Sequence, residues 1–357
     1  MIERAGAGRL HHGTSLLAVL LTLVAVPACA SSVSRARGSA DVLRLGFSPT
    51  LTQAPAQVAL GTGILRRELA PVRVEATAFG SGKDAAIALS AGAIDAMYVG
   101  PSPITALRAQ STDVAVVSGV TAGGASLVVR RGEGIEGPAD LHGRKIAVPG
   151  VGNTQDIALR TWMQRHGLVP LEDGGDVSIA EVDIRKLLPL MRAGAVDAAW
   201  VPEPYPTYLV AKGVADVLVD EATLWPRGEL LTANLAVSGI YMDAHPQVVR
   251  RLVAANVEAI RFIQAQPARA QQLARGALIA TGAPTLDRRV LDGAWGKLTF
   301  TWDPLERSLV RIADDAYFVG VLEERPTDIA GLYRLDDLDA VLKDKGLPPT
   351  EPTKVTT

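Results

Sequence analysis

The sequence contains little of what several large classes of protein require. Cys29 is the single cysteine, so the chain cannot form an internal disulfide. Aromatic residues make up 4% of the 357 residues, which leaves no evident stacking platform for nucleic-acid bases. The formal net charge is only −2, so the composition gives no basis for binding nucleic acid. The length of 357 residues suits about two domains, and the 48% of hydrophobic residues can form sizeable cores.

Side-chain combinations that are typical of enzymes are also missing. There is no second cysteine for a thiol site, no cluster at metal-ligand spacing, and no Gly-x-Ser-x-Gly turn. Beyond the first 30 residues, His142, His166 and His245 are isolated along the chain. We therefore predict that the protein is not an enzyme and that it needs no metal or other cofactor.

The first 29 residues have the features of an export signal. Arg4 and Arg9 precede an apolar run from Leu16 to Val26, which is too short for a stable transmembrane helix. The run ends in Val26-Pro27-Ala28-Cys29, which resembles a bacterial lipobox, although Pro27 is unusual in that motif. We predict that Cys29 is lipidated and that residues 30–40 form a flexible tether on the extracytoplasmic face of the membrane. The alternative is an ordinary signal peptide that is cleaved nearby.

One stretch of the chain occurs twice. Residues 90–103 and 192–205 share Ala-Gly-Ala, an Asp three residues after the Gly, and an apolar run that ends in prolines. Each copy predicts a helix that stops at a Gly, followed by a buried strand and a loop. In open α/β sheets, ligands bind at the carboxyl ends of strands, so two such copies predict two lobes with a cleft between them. A chance match in an Ala- and Gly-rich chain is the alternative.

Two glycine-rich turns precede predicted helices, one in each half of the chain. They are residues 79–84 and residues 150–156, and backbone amides at such helix starts can hold an anion. For residues 79–84 a plain helix cap is the simpler interpretation. The glycine spacing is not that of a nucleotide-binding loop. Between these turns we predict strands at 114–117 and 125–130, with Gly119 to Gly124 as a loop. Residues 235–241 are predicted to be a strand that returns to the first lobe.

These segments predict a domain order. We place lobe 1 at residues 41–130, lobe 2 at 131–230, a return to lobe 1 with C-terminal helices at 231–345, and a tail at 346–357. The composition shift over residues 131–140, with three glycines and a proline, marks the expected crossing.

The layout resembles the substrate-binding proteins of ABC importers, in particular the aliphatic sulfonate, taurine and nitrate group. The motifs that carry the resemblance are Phe79-Gly-Ser-Gly, residues 93–103, Gly123-Gly-Ala-Ser-Leu-Val-Val129, and three in the second half, which are residues 141–149, 152–160 and 197–205. The resemblance implies a periplasmic-binding-protein-like type II fold, in which each α/β lobe has a mixed sheet flanked by helices. It also implies a small anionic ligand in the cleft. Gln53 and Ser102 stand where the group often has His and Asn.

The resemblance also implies which residues contact the ligand. The candidates lie in the loops that face the expected cleft, and they are Thr52, Gln53, Ser81, Gly82, Ser102, Ser126, Asn153, Thr154, Gln155, Glu203 and Tyr205. Glu203 does not fit simply, because a carboxylate repels a bound anion. We predict a structural role for it over pairing with a ligand amine. Lys83 is the nearest candidate cation, and a solvated helix start is the simpler interpretation.

We therefore predict a monomeric receptor, lipid-anchored through Cys29, that delivers a small oxyanion, most simply an alkyl sulfonate, to an ABC permease and its ATPase. An exported enzyme on the same fold and a sensor lobe for a membrane kinase are the alternatives.

Overall fold

The computed structural model describes residues 38–325 and 329–350. The expected signal peptide, Cys29 and most of the tether lie outside the described residues. Eleven strands are formed in the described ranges: β1 (Val42–Phe47), β2 (Arg73–Ala78), β3 (Ala96–Val99), β4 (Val114–Gly123), β5 (Ala125–Arg130), β6 (Lys145–Val148), β7 (Ser178–Glu181), β8 (Ala198–Pro202), β9 (Ala215–Asp220), β10 (Leu231–Ser238) and β11 (Leu298–Phe300).

Thirteen α-helices connect and cover these strands in the same part of the chain. They are α1 (Ala54–Gly61), α2 (Ile64–Leu69), α3 (Gly82–Ser90), α4 (Pro101–Ala109), α5 (Thr154–Arg165), α6 (Leu187–Arg192), α7 (Tyr205–Ala211), α8 (Gly239–Ala244), α9 (Pro246–Ala265), α10 (Pro267–Ala280), α11 (Arg288–Trp295), α12 (Glu306–Phe318) and α13 (Asp336–Asp344). Within the described ranges, none of the helices combines the length and the apolar character needed to span a membrane.

The strands form two mixed sheets. The first sheet has the order β11-β4-β10-β3-β1-β2, and the second has the order β7-β6-β8-β5-β9. In the first sheet β1 pairs parallel with β2 and β3, while β10 runs antiparallel between β3 and β4. In the second sheet β6 pairs parallel with β7 and β8, while β5 runs antiparallel between β8 and β9. The first lobe is defined here as residues 42–123 and 231–350, and the second lobe as residues 125–220.

Helices cover both faces of each sheet. Side chains alternate between the two faces of a strand, so neighbouring residues pack against different helices. In β3, Tyr98 packs towards α1, α2, α9 and α13, while Met97 packs towards α3, α4 and α12. In β8, Trp200 packs towards α5, while Val201 packs towards α6 and α7. The long helix α9 buries one apolar stripe, which includes Val249, Leu252, Val253 and Ile260.

The chain crosses between the sheets at two places. The first crossing is Gly123–Gly124, where both residues have left-handed φ values of +76° and +75° that favour glycine. This crossing lies before the boundary expected at residue 130, because β5 pairs with β8 and β9 rather than with the first sheet. The second crossing is residues 221–230. The Gly123 N–H donates to the Leu230 carbonyl at 2.7 Å, so the two crossings are tied together.

The repeated stretch has the same structure in both lobes. Gly92 and Gly194 each have φ of +67° and follow the ends of α3 and α6. Asp95 accepts the backbone N–H of Arg44 at the neighbouring strand β1, at 2.8 Å. Asp197 accepts the backbone N–H of Lys145 at the start of β6, at 3.0 Å. In each copy the aspartate therefore fixes the start of one strand against its parallel neighbour.

Two local predictions were wrong. The loop expected from Gly119 to Gly124 is strand as far as Gly123, because β4 pairs with β10 and β11 along its length. The strand expected over residues 235–241 begins at Leu231 and ends at Ser238, and Gly239 starts the short helix α8. Both errors concern glycines. Gly119 and Gly123 lie within a strand because they pair with neighbouring strands, whereas Gly239 begins a helix.

Candidate ligand-binding site

A cavity of about 50 Å³ lies between the two lobes. Its lining residues come from the loops that follow the carboxyl ends of the parallel strands, together with the start of β10, which runs the other way. From the first lobe they are Ser48, Thr50, Thr52, Gln53, Gly80, Ser81, Gly82, Gly100, Pro103 and Thr232. From the second lobe they are Pro149, Asn153, Thr154, Gln155, Ile184 and Pro202.

The lining is uncharged and combines polar side chains with glycines, prolines and Ile184. Among the described residues that line the cavity, none has a charged side chain and none is aromatic. Hydroxyls, carboxamides and backbone groups are therefore the polar groups that this lining offers to a ligand. Such groups hold an oxyanion by hydrogen bonds, without an ion pair.

The lobes touch each other around the cavity. The Lys83 backbone N–H at the start of α3 donates to Asn153 Oδ1 at 3.0 Å. The Ser102 backbone N–H at the start of α4 approaches Thr154 Oγ1 at 3.4 Å. These contacts join helix starts from opposite lobes, so the arrangement is a closed one.

The loop after β1 is held by its own side chains. The Ser48 backbone N–H donates to Gln53 Oε1 at 2.5 Å, and the hydroxyls of Thr50 and Thr52 are 2.8 Å apart. Gln57 Nε2 in α1 donates to the Thr50 carbonyl at 2.9 Å. The Ser48 hydroxyl is buried and has no partner among the described residues. Ser48 was not predicted as a contact, although its position directly after a strand end was a usable signal.

The two helix starts at the glycine-rich turns carry carboxylates of their own. Ser81 Oγ accepts the Asp84 N–H at 3.2 Å and lies 2.9 Å from Asp84 Oδ2, to which it donates its proton. In α5, Asp156 accepts the Gly152 N–H at 2.8 Å and pairs with Arg160 at 3.0 Å. Burial raises the pKa of Asp156 and outweighs these two contacts, which lower it. Both helix dipoles are thus partly compensated within the protein.

The structure brings most of the predicted contact residues to the cavity. Seven of them line it, namely Thr52, Gln53, Ser81, Gly82, Asn153, Thr154 and Gln155. Ser102, Ser126, Glu203 and Tyr205 do not. Ser102 and Ser126 are buried beside the cleft, in α4 and β5. The Tyr205 hydroxyl is buried without a partner in the described part of the chain, and burial raises the pKa of Tyr205.

Glu203 is bound by protein groups. Its side chain is fully buried, and Lys297 Nζ lies 2.9 Å from Oε1. The hydroxyl of Thr207 donates to Oε1 at 2.8 Å. The Leu51 N–H donates to the Glu203 carbonyl at 2.9 Å, and the Glu203 N–H donates to the Gly124 carbonyl at 2.8 Å. Glu203 therefore connects the first-lobe loop, the crossing and the segment before β11.

Lys83, the nearest candidate cation, and the buried Trp200 both lie outside the cavity lining. The Lys83 side chain is exposed and does not line the cavity. Trp200 is fully buried in β8, and its indole N–H donates to Glu221 Oε2 at 2.6 Å. Burial raises the pKa of Glu221 to about 7. The described residues contain no group of three or more His, Cys, Asp or Glu side chains that could hold a metal ion.

Larger cavities lie elsewhere on the molecule. One of about 420 Å³ is lined by the second crossing and the start of α12, where the Arg311 guanidinium stacks 4.2 Å from the centre of the Trp225 ring. Another of about 330 Å³ lies beside α5. Neither includes a residue of the cavity between the lobes, which alone of the three joins strand ends of both sheets.

Two α/β lobes with a polar cavity between their strand ends define a periplasmic-binding-protein-like fold. The chain belongs to the NMT1-like family, whose model matches residues 38–278. The alkanesulfonate-binding protein SsuA from Xanthomonas axonopodis pv. citri has the same fold, with a TM-score of 0.70 and 19% identity over 83% of this chain and 98% of that one. The nitrate-binding protein NrtA from Synechocystis PCC 6803 has a TM-score of 0.74 and 17% identity over 86% and 90%.

A curated relative agrees with these structures. The taurine-binding periplasmic protein of Escherichia coli (strain K12) is 26% identical over 215 residues, which are 60% of this chain and 64% of that protein. The chain thus spans less than two thirds of the length of this relative. Together the matches confirm the resemblance to the sulfonate, taurine and nitrate group and the two-lobed fold that were predicted from the sequence.

Proposed function

We propose that the protein is the extracytoplasmic substrate-binding component of an ABC importer and that it binds a small oxyanion. It would be anchored through a lipid on Cys29, act as a monomer, and deliver the ligand to a permease and its ATPase. The observation that carries the ligand class is the uncharged, donor-rich cavity between the strand ends of both lobes. The alkanesulfonate-, nitrate- and taurine-binding relatives support the same class.

The volume of the cavity limits the size of the ligand. Drug-sized ligands occupy sites of about 300–1,000 Å³, whereas this cavity has about 50 Å³. That space suits an oxyanion head group with at most a short chain. Because the described lining holds no cation, hydrogen bonds alone must compensate the charge of the ligand, which favours one negative charge over two. A short-chain alkyl sulfonate meets both conditions.

A thermal-shift screen tests the proposal. The panel contains short alkyl sulfonates, taurine, nitrate, sulfate, a phosphonate and thiamine precursors. A ligand at a hundred times its dissociation constant should stabilise the fold by about 2.7 kcal/mol. Thr154→Ala should abolish the shift, whereas Thr161→Ala, on the same helix but away from the cavity, should keep it. If no anion in the panel shifts the transition, the oxyanion proposal is wrong.

A further inference from the structure

The orientation of two carboxamides in the cavity is fixed by backbone groups. A carboxamide has an oxygen that accepts hydrogen bonds and an NH₂ group that donates them. Gln53 Oε1 accepts the Ser48 N–H at 2.5 Å. Asn153 Oδ1 accepts the Lys83 N–H at 3.0 Å. A flipped side chain would set a donor against a donor in either case, so the chemistry allows only one orientation.

The NH₂ ends of these two side chains are thereby left for a ligand. Gln53 and Asn153 both line the cavity, one from each lobe. A Cβ atom at Gly150 would lie 2.5 Å from Asn153 Nδ2, so the glycine provides the space that this amide occupies. The Lys83–Asn153 contact crosses between the lobes, which means that closure itself holds the Asn153 amide in its donating orientation.

The hydroxyls of the lining differ in what they can offer. Thr154 Oγ1 is approached by the Ser102 N–H at 3.4 Å, so its own proton is free to be donated. The Thr232 hydroxyl donates to the carbonyls of Thr121 and Gly123, at 3.1 and 2.9 Å, and has no proton to spare. The Ser48 hydroxyl has no partner among the described residues.

We infer that this cleft selects oxyanions that only accept hydrogen bonds over oxyanions of equal charge that carry an O–H group. The inference rests on the proposed function and refines it. A sulfonate or nitrate presents acceptors alone, which match the fixed NH₂ ends of Gln53 and Asn153. A singly protonated phosphonate has nearly the same shape and charge, but its O–H must find an acceptor. An unpaired donor in a buried site loses affinity.

The test compares two ligands on the unaltered protein. Methanesulfonate and methylphosphonate are titrated calorimetrically at an acidic pH at which the phosphonate is a monoanion with one O–H. We expect methanesulfonate to bind at least about tenfold more tightly. Equal affinities would overturn the inference and leave the oxyanion proposal standing. If neither ligand binds, and nitrate does not bind either, both the inference and the proposed function fail.

Isosteric variants locate the selectivity in the two amides. Gln53→Glu and Asn153→Asp keep an oxygen for the Ser48 and Lys83 N–H groups but replace the NH₂ end with a second acceptor. Each should weaken methanesulfonate by about ten- to a hundredfold. Gln164→Glu makes the same change of charge at an exposed position of α5 outside the cavity, and it should bind normally. Unchanged binding by both cleft variants would overturn the inference.

Discussion

A methyl group at Gly100 would test whether the lobes meet as the structure shows. A Cβ atom on Gly100 would lie 2.6 Å from Thr154 Oγ1 in the opposite lobe, whereas ordinary contacts begin at 3.4 Å. The backbone φ of Gly100 is −66°, which alanine adopts without strain. Gly100→Ala therefore places an obstacle between the lobes and leaves the fold of each lobe intact.

The expected loss follows from the overlap. Either the lobes separate by several tenths of an ångström or Thr154 rotates and loses its contact with the Ser102 N–H. Overpacking of this kind costs about 1–3 kcal/mol, which corresponds to roughly 5–150-fold weaker binding. The penalty applies only to the closed state, so it should appear in the affinity rather than in the free energy of unfolding of the unliganded protein.

Calorimetric titration with the anion found in the screen measures the effect, and urea unfolding without ligand checks the fold. Gly80→Ala is the matched control, because Gly80 also lines the cavity and a Cβ there would be 3.7 Å from its nearest neighbour, Asp84 Oδ2. The control should bind within about twofold of the unaltered protein, a difference of about 0.4 kcal/mol, because the added methyl group meets no atom of the opposite lobe. Wild-type affinity in Gly100→Ala would refute the reasoning, because the liganded lobes could not then meet at Thr154.

Three further predictions concern stability. Asp95→Asn should lower the free energy of unfolding, measured in urea, by about 2–3 kcal/mol. This is less than the full cost of breaking a buried ion pair, because the partner Arg44 is 25% exposed. A loss below about 0.5 kcal/mol would contradict the prediction. Burial raises the pKa of Glu221 to about 7, so the folded state holds a proton that the unfolded chain releases near pH 4.5. The free energy of unfolding should therefore fall as pH rises from about 4.5 to 7, and Glu221→Gln should reduce that slope; an unchanged slope would exclude Glu221 as a source of it. Lys297→Met should destabilise the fold by about 2–4 kcal/mol, because it leaves the buried Glu203 carboxylate without its cation. Adding Glu203→Gln should recover part of this loss, whereas additive losses would show that the two residues are not coupled.

The fold was predictable from the sequence where a local signal and the tertiary structure agree. The repeated stretch indicated a helix stop at Gly92 and at Gly194, each followed by a buried strand and a loop, and the structure has all of these. The function of Asp95 and Asp197 within the repeat was not predictable. Each accepts a backbone N–H more than 50 residues away along the chain, and no local pattern encodes that partner.

The candidate site was predictable at the level of loops and less so at the level of side chains. Loops after the carboxyl ends of parallel strands meet at one edge of a sheet, so topology places the loops that carry Gln53 and Asn153 at the cleft, whereas the choice of these two residues came from the family resemblance. Tyr205 follows a strand end as well, yet it packs into the second-lobe core. Tyr205 joins a buried cluster that includes Leu187 and Leu209, and such packing between separate helices is not visible in a local sequence pattern.

Glu203 is a buried carboxylate beside the cleft, and its negative charge must be compatible with an anionic ligand. Sequence reasoning set Glu203 against a bound anion and favoured a structural role because the two charges repel. The structure supplies the compensation from three sides, since Lys297, the Thr207 hydroxyl and the Thr207 N–H all reach the carboxylate. Lys297 pairs with that carboxylate, Asp84 and Asp156 have partners at the two helix starts, and the side chains that line the cavity are neutral. Selectivity among anions then depends on which atoms donate protons, and the orientation of two amides becomes the decisive variable.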